Sequence, residues 1–238
     1  MMLALWAVPR SVSTAFERMM MERGDFHVLH EPFSVSYYYS PSRRSTRYDA
    51  IPVGAENEVA AVAARITALA NRQSVFFKDM ALHLSGQMGL DLLPGCQHAF
   101  LIRHPGHVLP SLHKMMPDFT LEETGYERLH DLFNLVAAKT GQTPCVLDSE
   151  DLCTAPETII QKFCQGLGIP FLPQALSWPP GPRPEWQLWE PWHADVANSR
   201  GFQAPRSPAR PIEQGPLASA YAHCLPHYQA LHQQRLRA

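Results

Sequence analysis

The stretch Ala7-Val8-Pro9-Arg10-Ser11-Val12-Ser13-Thr14 joins an apolar run at residues 2–6 to an amphipathic segment at residues 13–23. The first is typical of a buried strand and the second of a helix. A helix that follows a strand presents unpaired N–H groups and the positive end of a dipole. Arg10 adds a permanent positive charge, and the three hydroxyl residues add donors. The stretch therefore predicts a binding site for a phosphate or sulfate group. The alternative is that Ser13 or Thr14 only caps the helix.

Length and charge limit the class of protein. The chain has 238 residues, 45% of them apolar, which suits one α/β domain. We expect a single domain over residues 1–238, with a core at about 1–172 and a proline-rich segment and final helix at about 173–238. The formal net charge of −2 provides no general attraction to nucleic acid. An anion site must therefore be built from locally gathered arginines.

The cysteines and the apolar segments indicate a cytoplasmic protein. Five cysteines without a C-x-x-C pair favour reduced thiols over disulfides or a metal framework, so we expect no metal. The N-terminal apolar run meets Pro9-Arg10 too early for a signal peptide. No apolar stretch is long enough to span a membrane, and no membrane partner is expected.

The rest of the chain alternates between strand and helix patterns. After the first strand, at residues 2–8, further strands are predicted at residues 26–30, 74–78, 98–103 and 144–147. Helices are predicted at residues 56–71, 105–115, 121–140, 155–167 and 213–235, the last with Pro226 as a candidate break. Residues 37–52 are interpreted as a loop or lid. This alternation predicts a three-layer α/β/α fold with a mostly parallel sheet, covered by a proline-rich C-terminal wrap.

Polar residues lie where the predicted strands end, which is where ligands bind in such sheets. Besides the 9–14 loop, these are Glu31, Lys78 and Arg103. Arg103 begins Arg103-His104-Pro105, and Ser111 follows it by eight positions. An arginine at a strand end and a serine early in the next helix can hold one phosphate from two sides. The alternative is that Arg103 pairs with a nearby carboxylate.

Together these segments resemble the sulfotransferases that use 3′-phosphoadenosine 5′-phosphosulfate (PAPS). The first motif of that family, Pro-Lys/Arg-Ser-Gly-Thr/Ser-Thr, stands here at residues 9–14. Its Arg-Asp-Pro run with a later Ser stands at Arg103, His104, Pro105 and Ser111. Glu150-Asp151-Leu152, then Pro156 and Leu167-Gly168-Ile169-Pro170, resemble a third family segment. The three segments occur in family order across residues 2–172.

The sequence departs from the family pattern at several positions. Val12 replaces the glycine of the anion loop, and a positive φ there is costly for valine. His104 replaces an aspartate, and Ala15 stands where some members have an aromatic residue. The family's Arg-Lys-Gly loop is matched only loosely, by Ser199-Arg200-Gly201.

The resemblance implies a P-loop-like fold, PAPS as the donor cosubstrate and no metal. It places the donor's 5′-phosphate and bridging oxygen on Pro9, Arg10, Ser11, Val12, Ser13 and Thr14. Arg103 and Ser111 would hold the 3′-phosphate, and Arg200 and Gly201 would complete the cofactor site. Arg10 would also act catalytically, where charge develops on the leaving oxygen.

A base must accept a proton from the acceptor. Glu31 is our first candidate, with a structural carboxylate paired to an arginine, for example Arg10, as the alternative. His30 is the second candidate, and it would otherwise be a buried polar residue. Lys78 would stabilise the sulfuryl group or bind an acidic acceptor, or else pair with Asp79 on the surface. His83 is a further substrate-binding candidate.

We therefore expect a cytoplasmic PAPS-dependent sulfotransferase that acts on a hydroxyl or amine of a small molecule. The main alternative is a P-loop kinase or another ATP-dependent phosphotransferase. The chain lacks G-x-x-x-x-G-K-[ST] and has no evident Mg²⁺-holding aspartate at an apolar strand end. The third alternative is a non-catalytic domain that binds an adenine nucleotide. Four tryptophans of the proline-rich segment either anchor that segment or line the acceptor pocket: Trp178, Trp186, Trp189 and Trp192.

Overall fold

A computed structural model describes residues 1–84, 86–204 and 207–238. Its sheet has five parallel strands in the order β2-β3-β1-β4-β5. The strands are β1 (Met2–Ala7), β2 (His27–His30), β3 (Val75–Met80), β4 (Cys96–Ile102) and β5 (Cys145–Asp148). The α/β fold with a mostly parallel sheet is confirmed.

Ten α-helices lie in the described part of the chain. They are α1 (Ser13–Arg23), α2 (Ser34–Tyr39), α3 (Val59–Ala70), α4 (Gly86–Asp91), α5 (Pro105–Met115), α6 (Tyr126–Thr140), α7 (Ser149–Thr154), α8 (Pro156–Leu167), α9 (Ala194–Ala197) and α10 (Ala218–Gln233). None of them combines the length and apolarity needed to cross a bilayer.

Strand β1 is the centre of the molecule because both of its faces are buried. Ala4 and Trp6 belong to a core that includes residues of α3, α5, α6 and α10. Leu3 and Leu5 belong to a second core, which includes residues of α1 and α8. Each fully buried Leu contributes about 1.5–3 kcal/mol of hydrophobic stabilisation. Such a strand is uniformly apolar, which is why its sequence lacks an alternating pattern.

The sheet order places the loop after β1 at a topological switch point. From β1 the chain passes through α1 to β2 on one side of the sheet. From β3 it crosses to β4, on the other side of β1. Open α/β sheets bind ligands in the crevice that this reversal creates. Residues 8–12 therefore lie where the fold itself leaves room for a ligand.

Several element boundaries differ from the predicted ones. Helix α2 occupies the start of the segment interpreted as a loop. Helix α6 begins at Tyr126 rather than at residue 121, because Gly125 takes a left-handed conformation with φ +75°. Helix α10 continues through Pro226 as one helix. Strands β3 and β5 run further than predicted, so Asp79 and Asp148 lie within them.

The proline-rich segment is irregular, as predicted. It contains short 3₁₀ helices at Pro173–Leu176 and Pro184–Trp192, followed by α9. Trp178, Trp186 and Trp189 are buried and donate through their indole N–H groups to Ser199, Glu17 and Ser34, respectively. The segment is therefore anchored to the α/β core by its tryptophans.

Candidate active site

The loop between β1 and α1 has an unusual backbone conformation. Arg10 and Val12 both have positive φ angles, +58° and +61°. Alternation of left- and right-handed residues turns successive N–H groups towards one point and forms an anion-binding concavity. The glycine position of the family motif thus does require positive φ, and Val12 adopts it at a cost of about 1–3 kcal/mol. Strain of this kind is typical of functional sites.

The hydroxyl groups of the loop do not cap α1. Val12 occupies the N-cap position and makes no side-chain hydrogen bond, so the capping interpretation of Ser13 or Thr14 is wrong. The Ser11 hydroxyl donates to the Val8 carbonyl at 2.7 Å, which stabilises the loop itself. The Thr14 hydroxyl lies 3.3 Å from Nδ1 of His193.

Arg10 connects the loop to two other parts of the chain. Its Nε donates to the Ser111 hydroxyl at 2.9 Å, and its Nη1 donates to the Trp192 carbonyl at 2.9 Å. Its Nη2 lies 3.3 Å from the exposed carboxylate of Asp195. Three of its five N–H groups are enough for these contacts, so donors remain for a ligand.

Arg103 supports the loop from β4. Its Nη1 donates to the Arg10 carbonyl at 2.7 Å. No ion pair joins it to a carboxylate of the described residues, in contrast to the alternative interpretation. Burial lowers its pKa below the ordinary arginine value, yet the group remains cationic. Arg103 is thus a half-buried cation that contacts the anion loop.

A cavity of about 250 Å³ opens above the loop. Its lining includes Pro9, Arg10, Ser11, Val12, Ser13, Thr14, Glu31, His83, Arg103 and Gly201. Aromatic walls come from Tyr38, Tyr48, Trp189 and Trp192. Two of the predicted tryptophans therefore line the pocket, and one of them, Trp189, also anchors its segment.

Four predicted site residues lie outside the lining of this cavity. Lys78 and His30 lie behind it, each with a side chain no more than 2% exposed. Ser111 lines a smaller neighbouring depression beside Arg10, and Arg200 is exposed on the surface. Lys78 contacts the cavity lining through Glu31, and Ser111 contacts it through Arg10.

Glu31 and Lys78 form a buried ion pair. The Lys78 ammonium donates to Oε1 of Glu31 at 2.5 Å, and the Glu31 backbone has φ +41°. Burial opposes the charge on Glu31, but Lys78, His30 and His83 outweigh it, so the pKa of Glu31 lies well below its ordinary value. The predicted alternatives were Arg10 as the partner of Glu31 and a surface Lys78–Asp79 pair, and both are wrong.

Asp148 is the last residue of β5 and Asp79 the last but one of β3, so aspartates do lie at the ends of apolar strands, which corrects the sequence analysis. Asp79 is fully buried and accepts hydrogen bonds from the Phe33 backbone N–H at 2.6 Å and from His83 at 2.7 Å. Asp148 caps α7 through the Glu150 backbone N–H. Both carboxylates are engaged by the protein. The described residues contain no cluster of three His, Cys, Asp or Glu residues that could hold a metal ion.

Two residues at the site were missed in the sequence analysis. Glu17 of α1 is fully buried and lies 2.8 Å from Nδ1 of His30. His193, which precedes α9, lies 3.1 Å from Nε2 of His30. No motif surrounds His193 in the proline-rich segment. The position of Glu17 on the apolar side of α1 was the one available signal, because a carboxylate is rarely buried without a partner.

The chain and its fold are similar to known proteins. The family profile described as "Sulfotransferase domain" matches residues 1–235. The fold is similar to the "Sulfotransferase Domain from the Curacin Biosynthetic Pathway", with 15% identity, a TM-score of 0.51, and coverage of 100% of this chain and 98% of that chain. It is also similar to the "Sulfotransferase Domain from the Synechococcus PCC 7002 Olefin Synthase", with 14% identity, a TM-score of 0.57, and coverage of 96% and 94%.

Two curated relatives come from Arabidopsis thaliana. The chain is 30% identical over 206 residues to "Branched-chain-amino-acid aminotransferase-like protein 2" and 30% identical over 203 residues to protein 1 of the same name. Each match covers 84% of this chain and 36% of the relative, so the chain spans about a third of their length. Because the family profile covers nearly the whole sequence, the chain belongs to the sulfotransferase-domain family.

Proposed function

We propose that the chain transfers a sulfuryl group from PAPS to a hydroxyl or amine of a small molecule. The observation that carries this proposal is the loop at the switch point, with two left-handed residues, Arg103 behind it and a cavity above it. A donor with two anionic groups, the 3′-phosphate and the 5′-phosphosulfate, suits this combination of converging N–H groups and arginines. The engaged carboxylates of Asp79 and Asp148 argue against a magnesium-dependent phosphotransferase.

Sulfuryl transfer makes one bond and breaks one. The acceptor oxygen or nitrogen bonds to sulfur, and the bond between sulfur and the bridging phosphate oxygen breaks. Negative charge grows on that bridging oxygen, where the loop N–H groups and Arg10 would stabilise it. Loss of one such donor typically reduces the rate by roughly 10²–10³.

The 3′-phosphate of the donor is assigned to Arg103, with Ser111 acting beside it. Arg103 lines the cavity and carries a charge in a largely buried position, where it can form a strong charge-assisted bond. Ser111 holds Arg10 at 2.9 Å. We therefore give Ser111 a positioning role towards Arg10 as well as a contact with the phosphate.

Glu31 is proposed to accept the acceptor's proton. It lines the cavity, and its lowered pKa keeps it ionised at neutral pH. A base of low pKa removes a proton more readily from an acidic hydroxyl than from an alkanol. Lys78 holds Glu31 in place and sets its pKa. Aromatic side chains in the cavity wall also favour an apolar or aromatic acceptor.

The test is turnover with PAPS and a panel containing a phenol, an alkanol and an amine, with the sulfated product measured by mass spectrometry. We expect product with at least one acceptor without added metal, and the largest rate for the phenol. Arg10→Ala should lower the rate by roughly 10²–10³. Arg72→Ala, at an exposed position between α3 and β3, is the matched control and should leave the rate unchanged.

Phosphoryl transfer from Mg·ATP to the same panel would contradict the proposal. Binding of the PAPS product without any turnover would instead support a non-catalytic nucleotide-binding domain.

A further inference from the structure

A continuous chain of hydrogen-bonding groups leads from the interior to the anion loop. Oε2 of Glu17 lies 2.8 Å from Nδ1 of His30, and Nε2 of His30 lies 3.1 Å from Nε2 of His193. Nδ1 of His193 lies 3.3 Å from the Thr14 hydroxyl. The side chains of Glu17 and His30 are 0% and 2% exposed, so water cannot replace these partners. The indole N–H of Trp186 fixes the other oxygen of Glu17 at 2.8 Å.

When both imidazoles are neutral, the chemistry of these groups fixes which atom donates in each of the three hydrogen bonds. An ionised carboxylate only accepts, so Nδ1 of His30 carries hydrogen and its Nε2 is a bare acceptor. Nε2 of His193 must then donate, which leaves Nδ1 of His193 bare. The Thr14 hydroxyl must therefore donate to His193. In this state its hydrogen is directed away from any ligand of the loop.

The addition of one proton reverses the hydrogen bond between His193 and Thr14. With a proton on each Nδ1 and one shared between the two Nε2 atoms, His193 donates to the Thr14 oxygen. The Thr14 hydrogen is then free to point at an anion. Only N–H and O–H bonds change, and solvent supplies the proton.

We propose that His193 is a positioning residue that couples donor binding to the uptake of one proton, through the chain Glu17–His30–His193–Thr14. This inference rests on the proposed function, since it requires an anion on the loop beside Thr14. The ligand class is a phosphate or phosphosulfate of fixed negative charge. Its charge favours the protonated histidine pair, and that pair in turn frees the Thr14 hydroxyl to bind it.

The surroundings of His193 favour its neutral form in the free protein. Two carboxylates face His30 and His193. Glu17 belongs to α1, and Glu31 follows β2, with its Oε1 3.8 Å from Nε2 of His30. Two cations face His193: Lys78 of β3 and Arg10 of the anion loop. Burial, followed by Lys78 and His30, lowers the pKa of His193 to about 3. An arriving anion shifts this balance towards the cationic form.

Calorimetry with adenosine 3′,5′-bisphosphate tests the coupling. In two buffers of different ionisation enthalpy, we expect the uptake of about one proton per ligand near pH 7. Affinity should then fall about tenfold per pH unit between pH 7 and 8.5. The ligand is almost fully ionised in that range, since the second pKa of a phosphate is about 6.

His193→Phe keeps a ring in place but removes the proton path, so the dependence of affinity on pH should disappear. His223→Phe, on the distant helix α10, is the matched control and should keep it. Binding without proton uptake in the parent protein overturns this inference and leaves the proposed function intact. If neither the bisphosphate nor inorganic sulfate binds, both fail.

Nitrogen NMR of the histidines provides a second test that needs no variant. The free protein should show His30 protonated at Nδ1 and His193 protonated at Nε2. On addition of the bisphosphate, His193 should gain a proton at Nδ1. The opposite tautomer of His30 in the free protein would contradict the proposed order of hydrogen bonds from Glu17 to Thr14.

Discussion

At the scale of single residues, the buried pair of Glu31 and Lys78 supports both folding and the proposed chemistry. Removal of one partner from such a pair leaves an uncompensated buried charge, at a cost of about 3–5 kcal/mol. The pKa of Glu31 is lower in the folded protein than in the unfolded chain. Its contribution to stability is therefore complete above the ordinary carboxyl pKa, and it is lost as the pH falls through the lower folded value.

Glu31→Gln separates these two roles. We expect turnover with PAPS to fall by roughly 10²–10⁴, because the amide cannot accept the proton. The free energy of unfolding, from urea denaturation, should fall by about 3–5 kcal/mol. The double variant Glu31→Gln/Lys78→Met should regain most of that stability but none of the turnover. A Glu31→Gln enzyme with near-parent rates for both a phenol and an alkanol would remove Glu31 from the chemistry.

At the scale of elements, the start of α6 supports the anion loop. Gly125 has φ +75°, and a Cβ at this position would lie 3.2 Å from Cδ of Pro9. Gly141, just beyond the other end of α6, has φ +67°, but its Cβ would meet nothing within 4 Å. The two glycines share a backbone conformation and differ in their contact with the loop. They therefore form a matched pair.

Alanine at either glycine should cost about 1–2 kcal/mol of stability, because a Cβ is unfavourable at positive φ. Gly125→Ala should in addition displace Pro9 and weaken the binding of adenosine 3′,5′-bisphosphate. Gly141→Ala should leave that affinity unchanged. Thermal unfolding and titration of both variants make the comparison. Equal affinities would show that the loop does not depend on the start of α6.

Some features of these elements could be predicted from sequence patterns, and others could not. The apolar runs and helical periods located all five strands and most of the long helices, because burial of one face or two is a local property of the sequence. Gly125 interrupts the helix predicted from residue 121, because the folded chain takes a left-handed turn there that the apolar pattern does not indicate. Lys78 was correctly placed near Glu31, but its contact with that residue depends on the register of β2 on β3. The His30–His193 contact joins residues 163 positions apart and left no local trace.

At the scale of the whole molecule, the proline-rich segment completes the cavity that the α/β core leaves open. Trp178 and Trp189 are both buried, at 4% and 8% exposure, and both donate a hydrogen bond to a serine. Only Trp189 of these two lines the cavity in the described structure. The segment therefore combines anchoring positions with positions that line the cavity.

Replacement of either tryptophan by alanine should destabilise the protein by about 3–5 kcal/mol, since each leaves a large cavity. Trp189→Ala should also raise the KM for the acceptor, whereas Trp178→Ala should not. Steady-state kinetics with the best acceptor, below the unfolding temperature of both variants, distinguishes the two effects. An unchanged KM in Trp189→Ala would exclude that side chain from the acceptor site.

The proposed function requires a donor that carries a phosphate at the 3′ position, and calorimetry tests this most directly, with no metal added to the bisphosphate or to AMP. We predict that adenosine 3′,5′-bisphosphate binds at least about tenfold tighter than AMP, equivalent to about 1.4 kcal/mol, because Arg103 and Ser111 hold the 3′-phosphate. It should also bind more tightly than Mg·ATP. Equal affinities for the bisphosphate and AMP, or a preference for Mg·ATP, would contradict the assignment of PAPS as the donor.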